Sequence, residues 1–191
     1  AQTWSNMPGG RVVQISWATC DIPDMPFNKQ MTFPVELSLR NTDDGVRLFS
    51  YPIPEIKALY DRHFSVTDKI LRDKESLLID EGGDAFDVDM EIAVGGRGKC
   101  VVDIRGVEIV YDMRRQTVSC LDKSAKLRAE GSIIRLRILV DRASIEIYGN
   151  GGRVYMPMGA IPEGETAVIR ARGCDIGINT LNLYRLKGIW D

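Results

Sequence analysis

With 191 residues the chain is long enough for one ordinary domain or two small ones, and either arrangement buries a real core. Apolar residues make up 44% and charged residues 27%, the balance of a globular protein, and no apolar run nears the roughly 18–20 residues of a membrane helix. A formal charge of -2, without a basic stripe, excludes a nucleic-acid partner that would need a cationic footprint.

The chain starts at Ala1 with no initiator Met, no basic leader and no signal-like apolar segment, so it reads as a piece of something longer. Its own compartment is therefore not legible. The first third then gives four strand candidates: "AQTWS", "RVVQISWAT", "MTFPVELSLR" and "GVRLFSYP". "NMPGG" is a tight turn, "CDIPDMPFNKQ" a longer loop, and "TDDG" a hairpin turn with the usual Asp-Gly signal. Four such strands make one blade-sized sheet, incomplete by itself. A short helix is expected over "PEIKALYDRHF", with Pro54 at its first position and Ile56, Leu59 and Tyr60 on one side. A domain boundary is placed after Phe64, giving 1–64 and 65–191.

Beyond it the period-2 signal dominates. In "AFDVDMEIAV", Phe86, Val88, Met90, Ile92 and Val94 alternate with Asp87, Asp89, Glu91 and Ala93. "IIRLRILVD" and "SIEIYG" alternate likewise, and "KCVVDIRG", "VEIVYDM", "AVIRARG" and "LNLYRLKGI" are further strands. Many short strands separated by turns indicate an all-β fold, an antiparallel β-sandwich. The glycine-rich stretch Gly149-Asn150-Gly151-Gly152 is no phosphate loop. It is followed by the Pro- and Gly-containing "RVYMPMGAIP" rather than a helix, and it lacks Gly-Lys-Ser/Thr. Asn-Gly between apolar strands is a hairpin turn.

Several features invite chemistry. The row Asp87, Asp89, Glu91, with Asp80, Glu81 and Asp84 before it, has the spacing of one strand face; calcium would suit it, but a solvated face explains it more simply. Cys20, Cys100, Cys120 and Cys174 lack C-x-x-C spacing, and two disulfides or four buried thiols are both open. With His63 the only histidine, no metal site and no cofactor are expected, and His63 at a helix end reads as structural.

"LVDRASIEIYGNGGR" resembles a hairpin of the C-terminal β-sandwich of glycoside hydrolase family 32, the levanases, inulinases and invertases. There the family shows Val-Asp-x-x-Ser-[Ile/Val]-Glu-[Ile/Val]-[Phe/Tyr] before a Gly/Asn turn. Ala1 to Ser5, Arg11 to Trp17 and Met31 to Leu37 are similar to the last blade of the family's five-bladed propeller, and the bacterial levanase-like branch fits best. The resemblance implies a four-stranded blade-like sheet, a short linker helix and a concanavalin-like jelly-roll sandwich. It also implies a parent that cleaves β-fructans with retention, using an Asp nucleophile and a Glu acid/base about 5–5.5 Å apart.

The motifs that carry those groups, Asn-Asp-Pro, Arg-Asp-Pro and Glu-Cys, do not occur here, so no catalytic residue is assigned. The segment is expected to stabilise the N-terminal catalytic propeller of its parent and to be inactive alone. The alternative is a fructan-binding module, with Trp4, Trp17, Phe27 and Tyr148 as candidate sugar contacts and Tyr111, Tyr155 and Tyr184 as further platform tyrosines. Where the family often has Trp-Arg-Ser, residues 27–30 read Phe-Asn-Lys-Gln, which leaves levan, inulin or sucrose specificity open. The parent is expected in the periplasm, at the cell surface or outside the cell. The isolated blade's open edge favours a homodimer of the fragment.

Overall fold

The computed structural model describes residues 1–4, 6–20, 22–23, 29–79, 83–164 and 166–188. Phe27, Asp80 and Glu81 lie outside them. In chain order the strands are β1 (Gln2–Trp4), β2 (Val12–Ile15), β3 (Trp17–Ala18), β4 (Gln30–Met31), β5 (Val35–Thr42) and β6 (Gly45–Pro52). After a 3-10 turn (Pro54–Leu59) come β7 (Tyr60–Leu71), β8 (Ser76–Ile79), β9 (Phe86–Ala93), β10 (Lys99–Ile104), β11 (Val107–Asp112) and β12 (Thr117–Cys120). The last six are β13 (Lys123–Lys126), β14 (Ile133–Asp141), β15 (Ser144–Gly149), β16 (Val154–Gly159), β17 (Ala167–Arg172) and β18 (Ile176–Leu186).

Strands β1-β2-β5-β6 form the expected four-stranded blade, and β3-β4 a small ribbon beside it. The rest is an antiparallel sandwich of two six-stranded sheets, β13-β12-β11-β10-β17-β8 and β16-β15-β14-β9-β18-β7. The alternating residues meet between these sheets. Phe86, Val88, Met90 and Ile92 of β9 pack with Ile134, Leu136, Ile138 and Val140 of β14, and with Val102, Ile104, Ile109 and Ile169 from the facing sheet. This is the large core, and period-2 patterning is sufficient to place it.

The linker helix is shorter than expected. It is a 3-10 turn of six residues with Ile56 its one buried side chain, and Tyr60 to Phe64 belong to β7 instead. So short a helix gains little from its own hydrogen bonds, whereas from Tyr60 onward the backbone can pair with β18. Residues 60–71 therefore form one strand through the 64/65 position, and Ser65 to Leu71 and β8 are strands that the sequence pattern did not single out.

At Asn179 β18 carries one residue more than β9 opposite it. Core-facing positions accordingly jump from Ile176 and Ile178 to Leu181 and Leu183, all buried. Asp68, opposite that bulge, takes φ +51. Replacing Ile138, which has no exposed surface, by Ala is expected to lower the unfolding free energy in urea by about 2–4 kcal/mol with an unchanged m-value.

Candidate functional site

The second place where the chain commits buried side chains is the seam between blade and sandwich. Strand β15, "SIEIYG", is buried at all six positions. Ile145 and Ile147 enter the large core, while Tyr148 joins Leu139, Leu186, Val35 and Ile56 in a separate cluster with Phe33, Tyr51, Leu59, Tyr60 and Tyr155 at its rim. Tyr51 of the blade meets the Tyr148 ring edge-on at 6.0 Å, and Tyr155 stacks on it at 4.9 Å.

Three buried charged side chains lie in this seam. Glu146 is 1% exposed; it accepts hydrogen bonds from the Phe33 N–H (2.7 Å), the Tyr148 hydroxyl (2.7 Å) and the Tyr155 hydroxyl (2.8 Å). Burial raises its pKa above the usual carboxylate value, with the three donors pulling the other way. Asp87 has no exposed surface and receives Arg137 through Nε (3.0 Å) and Nη2 (2.7 Å), plus the Tyr60 hydroxyl at 2.6 Å. Burial opposes the charge on Arg137, but the bonds to Asp87 outweigh it and hold the guanidinium ionised; its Cζ lies 5.1 Å from the Tyr51 ring centre.

The glycine-rich turn is part of the seam. Asn150, Gly151 and Gly152 have φ of +45, +64 and +93°, the left-handed conformations the turn requires. Gly152 O accepts the Ser50 N–H of β6 at 3.0 Å, and a Cβ on Gly152 would fall 2.3 Å from Ser50 O. Asp44 in the β5–β6 turn binds Arg153 at 2.5 Å, Arg11 ties Glu36 to Glu55 in the linker turn, and Lys187 N–H reaches Leu59 O at 2.9 Å.

The candidate sugar contacts separate. Tyr148 has no exposed surface, so it has no ring face to offer a sugar; the reason is the blade, which covers what alternation alone leaves open. Trp4 is 47% and Trp17 66% exposed, Trp17 lying opposite the exposed Met31. Phe27 lies outside the described residues. Tyr111 is buried with its hydroxyl on Leu127 O, Tyr155 is in the seam, and Tyr184 is sandwiched between Tyr60 (4.1 Å) and His63 (4.4 Å). The four tyrosines therefore make no shared platform.

The acidic row is not one solvated face. Asp87 is buried on Arg137, Glu91 is held by Arg135 and Asn179, and only Asp89 stays accessible without a hydrogen bond or ion pair among the described residues. All four cysteines are free thiols, with Cys100 pushed up to about 12 and Cys120 to about 11 by burial.

Two surfaces beside the seam are open. A groove of about 1430 Å³ runs between the β4 segment and the sandwich, with Lys29, Met31, Phe33, Asp84, Arg142 and Arg185 in its lining. On one face of the blade, Leu39 (73% exposed) lies directly opposite Leu48 (56%), with Val46 (58%) beyond them. Residue pattern did not single out Glu146, Arg137 or Gly152 as seam residues, although a glutamate between isoleucines in an otherwise apolar strand is a signal that could have found the first.

Two outcomes test the seam. Gly152→Ala is expected to cost about 2–3 kcal/mol, because the methyl meets backbone at a left-handed φ; thermal melts against Gly151→Ala, whose Cβ meets only the tip of Arg40, isolate the contact. Because Glu146 is raised in the fold, its protonated form contributes stability that is complete below the unfolded-state pKa and lost as pH rises through the folded one. Urea titrations across that window are expected to show wild type losing stability with pH relative to Glu146→Gln.

Comparison with known proteins bears on this arrangement. The family model described as "Glycosyl hydrolases family 32 C terminal" matches residues 55–165. A levanase of Bacillus sp. (strain L7) is 26% identical over 223 residues, covering all of this chain and 24% of the relative; the levanase of Bacillus subtilis (strain 168) is 25% identical over 226 residues, covering all of this chain and 33% of that protein. The chain thus spans a quarter to a third of these relatives. Among solved structures, exo-inulinase from Aspergillus awamori superimposes with TM-score 0.85 at 18% identity, over 98% of this chain and 43% of that one. Fructan 1-exohydrolase IIa from Cichorium intybus gives 0.78 at 14%, over 98% and 47%. With its blade, its two-sheet sandwich and a family match over more than half its length, the chain belongs to glycoside hydrolase family 32, and what it carries is that family's C-terminal β-sandwich.

Proposed function

We propose that this chain is the non-catalytic C-terminal portion of a levanase-like fructan hydrolase, in which the sandwich, β7 to β18, holds a propeller whose last blade is the sheet β1-β2-β5-β6. The observation that carries the reading is the seam. A lone blade is clamped to the sandwich by a dedicated apolar cluster and by the Phe33–Glu146 and Ser50–Gly152 bonds. The same blade leaves Leu39, Leu48 and Val46 bare, an apolar stripe suited to a neighbouring blade. In the isolated chain that stripe and the open blade edge favour self-association.

The carboxylates support a mechanical role. Asp87, Glu91 and Glu146 are occupied by arginines, tyrosines and backbone, which leaves them unsuited as a nucleophile and acid pair. The parent would meet polymeric fructan in the periplasm, at the cell surface or outside the cell.

A second reading, a fructan-binding module, is favoured by the groove between the β4 segment and the sandwich, whose mixed charges and apolar side chains suit an oligosaccharide.

The chain alone is expected to release no fructose from levan. Co-expressed with the preceding blades of its own parent it forms an active complex, and Leu39→Asp with Leu48→Asp lowers the thermal midpoint of that complex by several degrees. Fructose release by the chain alone would overturn the reading, as would a complex indifferent to the two aspartates.

A further inference from the structure

The blade covers only part of the outer face of the sheet that carries β15. Leu139, Glu146 and Tyr148 are sealed beneath it, but across β9, β18 and β7 the same face stays accessible at Asp89, Ser65, Thr67 and His63. Strand register sets one row across this open part: Arg137 on β14 lies opposite Asp89 on β9, Asp89 opposite Asn182 on β18, and Asn182 opposite Ser65 on β7. Neighbours in such a row stand about 4.7–4.9 Å apart.

The hydrogen-bonding capacity left over in this row is specific. Asn182 Oδ1 is engaged by His63 Nε2 at 3.0 Å, and His63 is itself held by stacking on Tyr184. That contact orients the amide and leaves its NH2 group as the unused donor. Beside it the Asp89 carboxylate has both oxygens free among the described residues. Partial burial raises the Asp89 pKa, and Asp87 adds to this, while the positive charges of Arg137, Lys57 and Arg135 pull the other way at longer range. Ser65 adds a hydroxyl that both donates and accepts. An acceptor, a donor and a hydroxyl in line match adjacent hydroxyl groups on a neutral polyol, each of which donates to the carboxylate and accepts from the amide. An anion would meet Asp89 head on, and an apolar ligand would leave the row unsatisfied.

We infer that the row Asp89–Asn182–Ser65 is a shallow carbohydrate-binding site for vicinal hydroxyls. The choice of fructan as its sugar rests on the proposed function; the site itself does not. It is separate from the groove, whose sandwich-side lining includes Asp84, Arg142 and Arg185.

The test follows amide shifts of the isotope-labelled 191-residue chain during titration with levan-type, inulin-type and glucose-based oligosaccharides. Saturable shifts centred on Asp89, Asn182 and Ser65 are expected, with affinity at least about tenfold weaker in both Asp89→Asn and Asn182→Ala. Asp89→Asn keeps the shape of an accessible side chain, so a normal melting curve for it shows that the loss is one of binding. Row shifts with the glucose-based sugar alone would keep the site and remove fructan as its ligand. Silence with all three sugars, shifts confined to the groove, or variants that bind like wild type would overturn the inference.

Discussion

The burial of β15 on both faces is the constraint on which the rest of the molecule depends. A strand in a two-sheet sandwich normally has one face in the core and one in water, and only the first needs to be apolar. Here Ile145 and Ile147 supply the core face, and Glu146 and Tyr148 supply the other to the blade. Because a single strand serves both, any shift of the sandwich core moves the ground on which the blade stands. The carboxylate at its centre fixes position as well as attraction, since it ties the backbone at Phe33, between β4 and β5, and two tyrosine rings to one point. Apolar contact alone tolerates sliding; a buried acceptor with three aligned donors does not.

The same economy explains the polar residues around the seam. Asp87 and Arg137 are costly to desolvate, and their bonds to each other and to Tyr60 offset that cost only in this arrangement. Tyr60 begins β7, so the pair couples the end of the linker turn to the centre of the sheet. The backbone bonds of Leu186 to Ala85 and of Lys187 to Leu59 bring the end of β18 to the same place. Linker, seam and last strand thus form one connected unit.

Side-chain chemistry that survives this construction lies at its margins, in the groove, on the bare blade stripe and along the open part of the outer sheet face. Each is open for a different physical reason. The stripe is apolar and lacks a cover among the described residues, the groove is the space between the β4 segment and the sandwich, and the row at Asp89 is polar and begins where the blade's cover of the sheet ends.

What the sequence by itself determined is the local pattern. Alternation in β9 and β14 placed the strands and the large core, the Asn-Gly and Asp-Gly dipeptides placed the turns, and the ordered pair of motifs at 1–37 and 139–153 pointed to the family. These are properties of neighbours along the chain, and a period of two is legible without coordinates. What only the tertiary structure decided is which outward faces meet another part of the molecule. Tyr148 and Glu146 alternate like solvent-facing residues and are buried because a sheet about a hundred residues earlier in the chain lies on them. Asp87, Asp89 and Glu91 share one spacing and have three different fates, set by Arg137, by open solvent and by Arg135. Residues 60–64 carry a helical spacing and become strand because β18, over a hundred residues later, supplies a ladder that a six-residue helix cannot match. Burial from a distance leaves no period in the sequence, and so the seam, the part of the molecule that the proposed function rests on, could be read only from the folded chain.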